Sequence, residues 1–176
     1  MKMMLSDGDI VRRLKSKSYH TRIVIDPCRI IRDVQPCSVD LHLSNDLKKQ
    51  DGTEYTLDED SNYTLKPNEF ILGSTMEYVE IPEDLSAFVD GKSTMGRLGI
   101  TAHVTAGFID AGFKGNITLE IKNLGETDFI LEDGMSICQI VFFKLSSPVK
   151  RLYGSENVGS HYQNSEGTVL SKHEKN

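Results

Sequence analysis

Beyond its N-terminal stretch the chain alternates polar and apolar residues at period two. The pattern is cleanest in Ser38-Val39-Asp40-Leu41-His42-Leu43 and in Asn116-Ile117-Thr118-Leu119-Glu120-Ile121-Lys122. Successive side chains of a strand point to opposite faces, so this alternation predicts half-buried strands. Turn formers punctuate the runs at Pro67-Asn68, Pro82-Glu83-Asp84, Asp90-Gly91, Gly112, Gly115, Gly125 and Asp133-Gly134. Many short strands between frequent turns predict an all-β sandwich or barrel. The nearly continuous apolar run from Ile137 to Phe143 predicts a central strand. Helical signal is confined to the start. There Ser6 can cap a short helix with Asp9 in a capping-box-like position, and Ile10 and Leu14 share a face until about Ser16 to Ser18.

Two segments break the pattern. Asp46 to Tyr63 is acidic and polar, which predicts an exposed hairpin or insertion. From Lys150 onward the chain is rich in Gly and Ser, with few residues to bury; it is either a mobile tail or a closing lid. A length of 176 residues suits one domain, a body over 1–150 with a lid over 151–176. No apolar run approaches the roughly 20 residues that cross a bilayer. The N-terminal Met-Lys-Met-Met-Leu-Ser-Asp lacks a signal-peptide apolar region, so a cytoplasmic location is expected. Cys28, Cys37 and Cys138 form neither an even set nor a CxxC pair, and are expected as small buried hydrophobes rather than a disulfide framework. A net charge of −6 argues against a protein that coats nucleic-acid backbone, but leaves room for a small polyanion neutralised by local cations and a divalent metal.

Two chemical motifs fail on inspection. Gly91-Lys92-Ser93-Thr94 resembles the end of a P-loop, but position 86 is Ser86 instead of glycine, and Met95-Gly96-Arg97-Leu98-Gly99 is a poor start for a long helix. A zinc deaminase needs His-x-Glu followed by Pro-Cys-x-x-Cys. Pro27-Cys28 and Pro36-Cys37 both lack the second cysteine, and the five histidines show no metal spacing. What survives lies between Asp90 and Lys122. This stretch gathers cations (Lys92, Arg97), hydroxyls (Ser93, Thr94, Thr105), two carboxylates (Asp110, Glu120) and many glycines. Cations and hydroxyls suit phosphate, glycine allows close backbone approach, and a carboxylate moves protons.

The order of these residues resembles the dCTP deaminase branch of the dCTP deaminase/dUTPase superfamily. Similar signatures recur in Leu5-Ser6-Asp7-Gly8-Asp9-Ile10, Gln35-Pro36-Cys37-Ser38-Val39-Asp40-Leu41, Ser74-Thr75-Met76-Glu77-Tyr78, Gly134-Met135-Ser136-Ile137-Cys138-Gln139 and Ser160-His161-Tyr162-Gln163. The resemblance implies a distorted β-barrel or jelly-roll of the dUTPase-like type, with a short N-terminal helix and a flexible C-terminal lid. It also implies a homotrimer with active sites between subunits, and a zinc-free deamination of a Mg²⁺-bound deoxynucleoside triphosphate. By the same resemblance Glu120 activates the water that attacks C4 of cytosine. Ser93 helps hold that water and the base, and Arg97 stands beside substrate and glutamate. Lys92, Thr94, His103, Thr105 and Ala106 are placed around the substrate, as are Gln139, Tyr153, His161 and Tyr162.

Thr105-Ala106-Gly107-Phe108-Ile109-Asp110 resembles the bifunctional members, which deaminate dCTP and then cleave dUTP to dUMP and pyrophosphate. In that chemistry Asp110 holds the deoxyribose 3′-hydroxyl and helps orient water toward the α-phosphorus, while metal ions and cations offset phosphate charge. Three positions depart from the family pattern. His161 stands where the lid lysine is expected, Ser165 near a glutamine position, and His42 where an arginine is usual. A histidine is charged only part of the time near neutral pH, so the preferred phosphate-chain length is open. The alternatives are a monofunctional deaminase, a dUTPase without deamination, and a regulatory trimer that binds dUTP or dTTP. Feedback inhibition by dTTP is a further implication.

Overall fold

The computed structural model describes residues 4–173. The N-terminal helix α1 (Asp7–Leu14) starts at Ser6 and buries Ile10, as its periodicity predicts. The capping box does not form. Ser6 makes no side-chain cap bond, and Asp9 reaches forward to Arg12 at 2.6 Å, the neighbour one turn on. After β1 (Val24–Asp26) and the single turn α2 (Ile30–Asp33) come β2 (Val39–Lys48), β3 (Glu54–Thr56), β4 (Tyr63–Leu65) and the long β5 (Phe70–Glu80). Then follow β6 (Leu85–Gly91), a five-residue helix α3 (Ser93–Arg97), β7 (Ile100–Thr101), β8 (Phe108–Ile109), β9 (Lys114–Asn123), β10 (Phe129–Leu131) and β11 (Ser136–Lys144).

Nine strands form one antiparallel sheet with the path β7-β9-β5-β2-β11-β6-β8; β1 joins β5 and β3 joins β2. The remaining two, β4 and β10, pair with each other. Register shifts interrupt the pairing within β2 (Leu43/Leu47), β5 (Ser74/Tyr78) and β11 (Ser136/Cys138). Such bulges bend strands and increase twist, and the sheet curls into a half-barrel. The apolar run around Ile137 is indeed central, between β2 and β6. Its residues Ile137, Cys138, Ile140 and Phe142 join Leu41, Leu43, Ile71, Leu119 and Ile121 in the core.

The acidic segment is more than an exposed hairpin. Asp46–Lys48 belong to β2 and pair with β3, while Leu47 and Leu57 are buried. Cys138 is buried and Cys28 half-buried, but Cys37 is exposed, contrary to the expectation for all three. Burial, reinforced by the Asp33 and Glu77 carboxylates, raises the Cys28 thiol to about 11, and burial raises Cys138 as well. Both are therefore neutral and unreactive as nucleophiles. Among the described residues no helix is long and apolar enough to cross a membrane.

His42 acquires a structural role. Its Nδ1 lies 2.6 Å from Glu77 Oε1, its backbone N–H donates to Glu77 Oε2 at 2.9 Å, and both side chains are 3% exposed. A side chain able to carry a proton thus faces a buried carboxylate, a task an arginine at this position would share. Removing one partner of such a pair strands the other in low dielectric. His42→Ala is expected to lose about 3–5 kcal/mol of stability in urea unfolding. A loss below about 1 kcal/mol, the range of an exposed pair, would show that the contact contributes little.

Candidate active site

Strand β9 alternates so regularly that Asn116, Thr118 and Glu120 share the face opposite the buried Ile117, Leu119 and Ile121. That face opens on a cavity of about 470 Å³. The loop between β7 and β8 wraps onto it. Glu120 N–H donates to Ala102 O at 3.1 Å, and the backbone N–H groups of Val104 and Thr105 both donate to Glu120 Oε2, at 2.8 and 2.9 Å. Two amide donors on one oxygen fix the carboxylate's orientation. Glu120 Oε1 is left without a protein donor among the described residues.

Gly107 makes this loop possible. Its carbonyl accepts from Val89 N–H at 2.8 Å, and a Cβ there would lie 2.6 Å from Val89 O. The close approach lets Phe108–Ile109 pair with β6 and delivers Asp110 to the cavity wall. Asp110 then opens the turn to β9, its carbonyl accepting from Phe113 N–H at 3.2 Å. Both carboxylates singled out in the sequence, ten positions apart, therefore line one cavity.

The C-terminal segment closes the other side. Tyr153 N–H donates to Ala111 O at 2.9 Å, and Gln163 bridges the turn between Gly112 O and Lys114 N–H at 2.9 and 3.0 Å. Ser165 runs beside Gly115, whose φ of +142° and contact with Ser165 backbone leave no room for a side chain. Asp46, in the segment expected to be exposed, accepts from Ser74 Oγ and from Thr168 N–H, and Thr168 is buried. Tyr153, Tyr162, Ser165 and the stretch from Val169 to Ser171 all line the cavity.

The other sequence-derived residues lie elsewhere on the chain. Ser93, Thr94 and Arg97 are exposed on α3 and do not line the cavity. Lys92 Nζ is bound to Asp40 Oδ2 and, at 2.8 Å, to Ser136 Oγ, so its charge anchors α3 to the sheet. Gln139 accepts from Ser38 Oγ at 2.9 Å and donates to Gly91 O at 3.3 Å, holding the same corner. His103 packs edge-on to Phe88 behind the loop, with Nε2 3.7 Å from Asp90. Thr105 contributes its backbone N–H to Glu120, and Ala106 lines the cavity. His161 is exposed and outside the lining. A single chain thus joins Glu120, Asp110, Ala106, Tyr153 and Tyr162, and holds Ser93 and Arg97 apart from them. Sequence reasoning missed Thr118 and Asn116, which period two could have marked, and Leu170 and Ser171, for which there was no local signal.

With this geometry in place, the comparisons with known proteins agree. A family profile described as dCTP deaminase-like matches residues 4–145. A protein of Methanosphaera stadtmanae named "dCTP deaminase, dUMP-forming" is 43% identical, with 96% of this chain and 93% of that protein aligned. A "dCTP deaminase" of Halorubrum lacusprofundi is 41% identical over 97% of this chain and 91% of its own length. The crystal structure of 2′-deoxycytidine 5′-triphosphate deaminase from Agrobacterium tumefaciens shares the fold at a TM-score of 0.67 and 23% identity. The alignment covers 82% of this chain, which spans about half (49%) of the Agrobacterium one. The chain belongs to the dCTP deaminase-like family.

Proposed function

We propose that the protein deaminates dCTP to dUTP and hydrolyses the dUTP in the same cavity to dUMP and pyrophosphate. The observation that carries this is the pair of carboxylates on one wall, with Glu120 fixed through Oε2 by two backbone amides and Asp110 presented from the neighbouring turn. Relatives named for a dUMP-forming deaminase, at about 40% identity over nearly the whole chain, point the same way.

In the first step water at Glu120 Oε1 gives its proton to the carboxylate as its oxygen bonds to C4 of cytosine. The glutamic acid so formed passes that proton to N3; Glu120 then takes the proton of the new C4 hydroxyl and delivers it to the amine, which leaves as ammonia as the C4 carbonyl forms. One carboxylate serves as base and then as acid, an effect typically worth about 10²–10⁴ in rate. In the second step Asp110 orients the sugar and a water, which attacks the α-phosphorus and expels pyrophosphate. The wall offers carboxylate, amide and hydroxyl oxygens and, among the described residues, no thiolate or imidazole, a donor set that suits a hard cation. Mg²⁺ would be carried mainly by the substrate phosphates and would offset their charge.

Ser93 and Arg97 enter this chemistry from a second copy of the chain. Exposed apolar side chains flank both α3 and the Glu120 loop, with Leu98 57%, Val104 50%, Phe108 62% and Leu124 63% accessible. We read these side chains as part of an association surface. We read the assembly as a cytoplasmic homotrimer with three shared sites, each closed by residues 151–173. Feedback by dTTP would use the same cavity.

Sharing has a distinctive consequence. Arg97→Ala and Glu120→Gln, each inactive alone, are expected to regain ammonia release from dCTP when mixed by co-refolding or co-expression. Mixed trimers contain some sites with both native residues. Mixtures as inactive as the separate variants would place both residues in one chain's site.

A further inference from the structure

The proposed substrate carries a polyphosphate, yet the cavity wall holds Asp110 and Glu120 and no Lys, Arg or His among the described residues. Two carboxylates repel a polyanion, so a cation supplied by the same chain at the mouth would favour its entry beside Arg97 of the second copy and Mg²⁺. The chain continues from the wall residues Leu170 and Ser171 directly into Lys172. The Lys172 ammonium donates to His161 O at 2.7 Å and lies 5.6 Å from the centre of the Tyr162 ring. Its backbone N–H donates to Tyr162 Oη at 3.3 Å, and Tyr162 N–H donates to Tyr153 Oη at 3.0 Å. Both tyrosines line the cavity. A carbonyl and a ring face orient the ammonium without neutralising it, and leave donors over for a further acceptor.

We infer that Lys172 is the phosphate-binding cation of this chain's C-terminal segment, and that it sets the preference for a nucleoside polyphosphate over a monophosphate. The inference rests on the phosphate-bearing substrate proposed above. Position 161 itself offers an imidazole, and Lys172 brings an ammonium against its carbonyl. The lysine arrives from eleven positions downstream, brought to residue 161 by the fold of the tail.

The test uses the full chain with Lys172→Ala, Lys172→Arg, and Lys172→Ala combined with His161→Lys. Lys172→Ala is expected to raise KM for dCTP about tenfold, the size of one charge-assisted contact. The inhibition constant of dCMP as a competitor should change less than about twofold. Arginine at 172, or lysine at 161 in the double variant, should restore KM to within about threefold. The KM defect should also shrink with added salt, because an exposed contact is screened. The inference is overturned if Lys172→Ala leaves KM for dCTP unchanged. It is equally overturned if dCMP inhibition weakens by the same factor, which is the mark of a residue that only holds the tail. Failure of the unmodified chain to deaminate dCTP would count against the proposed function alone. Calorimetric binding of inorganic tripolyphosphate to the two proteins then decides the role of Lys172. About tenfold weaker binding by the variant supports it, and equal binding removes it.

Discussion

Glu120→Gln is expected to cut ammonia release from dCTP by about 10²–10⁴-fold, the range for loss of a positioned proton-transfer group. The substitution keeps the size of the side chain and its carbonyl-type oxygen. The amides of Val104 and Thr105, which donate to Oε2 in the native protein, therefore keep an acceptor. What would disappear is the proposed transfer of a proton through Oε1. KM for dCTP should move little, since an interaction used in the transition state lowers kcat without weakening ground-state binding. Hydrolysis of added dUTP should persist within about tenfold of the native rate, because we assign that step to Asp110; about tenfold corresponds to one hydrogen bond to the shared pocket. A variant that keeps more than a tenth of native deamination would assign the base to another group.

Asp110→Asn is the complementary case, and its largest effect is on the product. Asp110 follows β8 at the mouth of the turn into β9, a backbone placement set by Gly107 and the β6 pairing rather than by its own side chain. The amide should therefore occupy the same place on the wall. It loses the charge and the proton-accepting capacity that orient water at the α-phosphorus, and dUTP hydrolysis should fall by about 10²–10⁴-fold. Deamination should slow by no more than about tenfold, through a weakened contact to the sugar hydroxyl. The expected chromatogram from dCTP and Mg²⁺ is thus dUTP where the native protein gives dUMP. An Asp110→Asn variant that still delivers dUMP at native rate would remove Asp110 from the second step.

The two carboxylates were legible in the sequence for different reasons. Glu120 sits in a strand whose alternation is so strict that side-chain direction follows from position alone. Asp110 could be marked by its motif, but its delivery to the wall depends on Gly107 meeting Val89, a contact no periodicity reports. The central β11 was readable from its apolar run, although its burial alternates, with Cys138, Ile140 and Phe142 in the core and Phe143 exposed. The helix α3 was not readable as such, since Gly96 within it and Gly99 just beyond argue against helix and leave room only for a single turn before Gly99 at φ +79°.

What escaped the sequence is mostly long-range. The Asp46–Thr168 contact joins positions 122 residues apart and turns an acidic segment into an anchor for the tail. His42 and Glu77 are 35 apart, so their burial as a pair could not be inferred from either neighbourhood. The separation of Ser93 and Arg97 from Glu120 is also invisible in a one-dimensional motif that runs through all three. Nearness in sequence there conceals what we propose is a site completed by a second chain.

In the proposed reaction one cavity carries dCTP to dUMP by deamination followed by hydrolysis. The most direct measurement is the time course of nucleotide products and ammonia when the full chain is incubated with dCTP and Mg²⁺. One ammonia and one pyrophosphate are expected for each dUMP formed, with dUMP as the final nucleotide. Accumulation of dUTP as the sole final product, or formation of no ammonia at all, would contradict it.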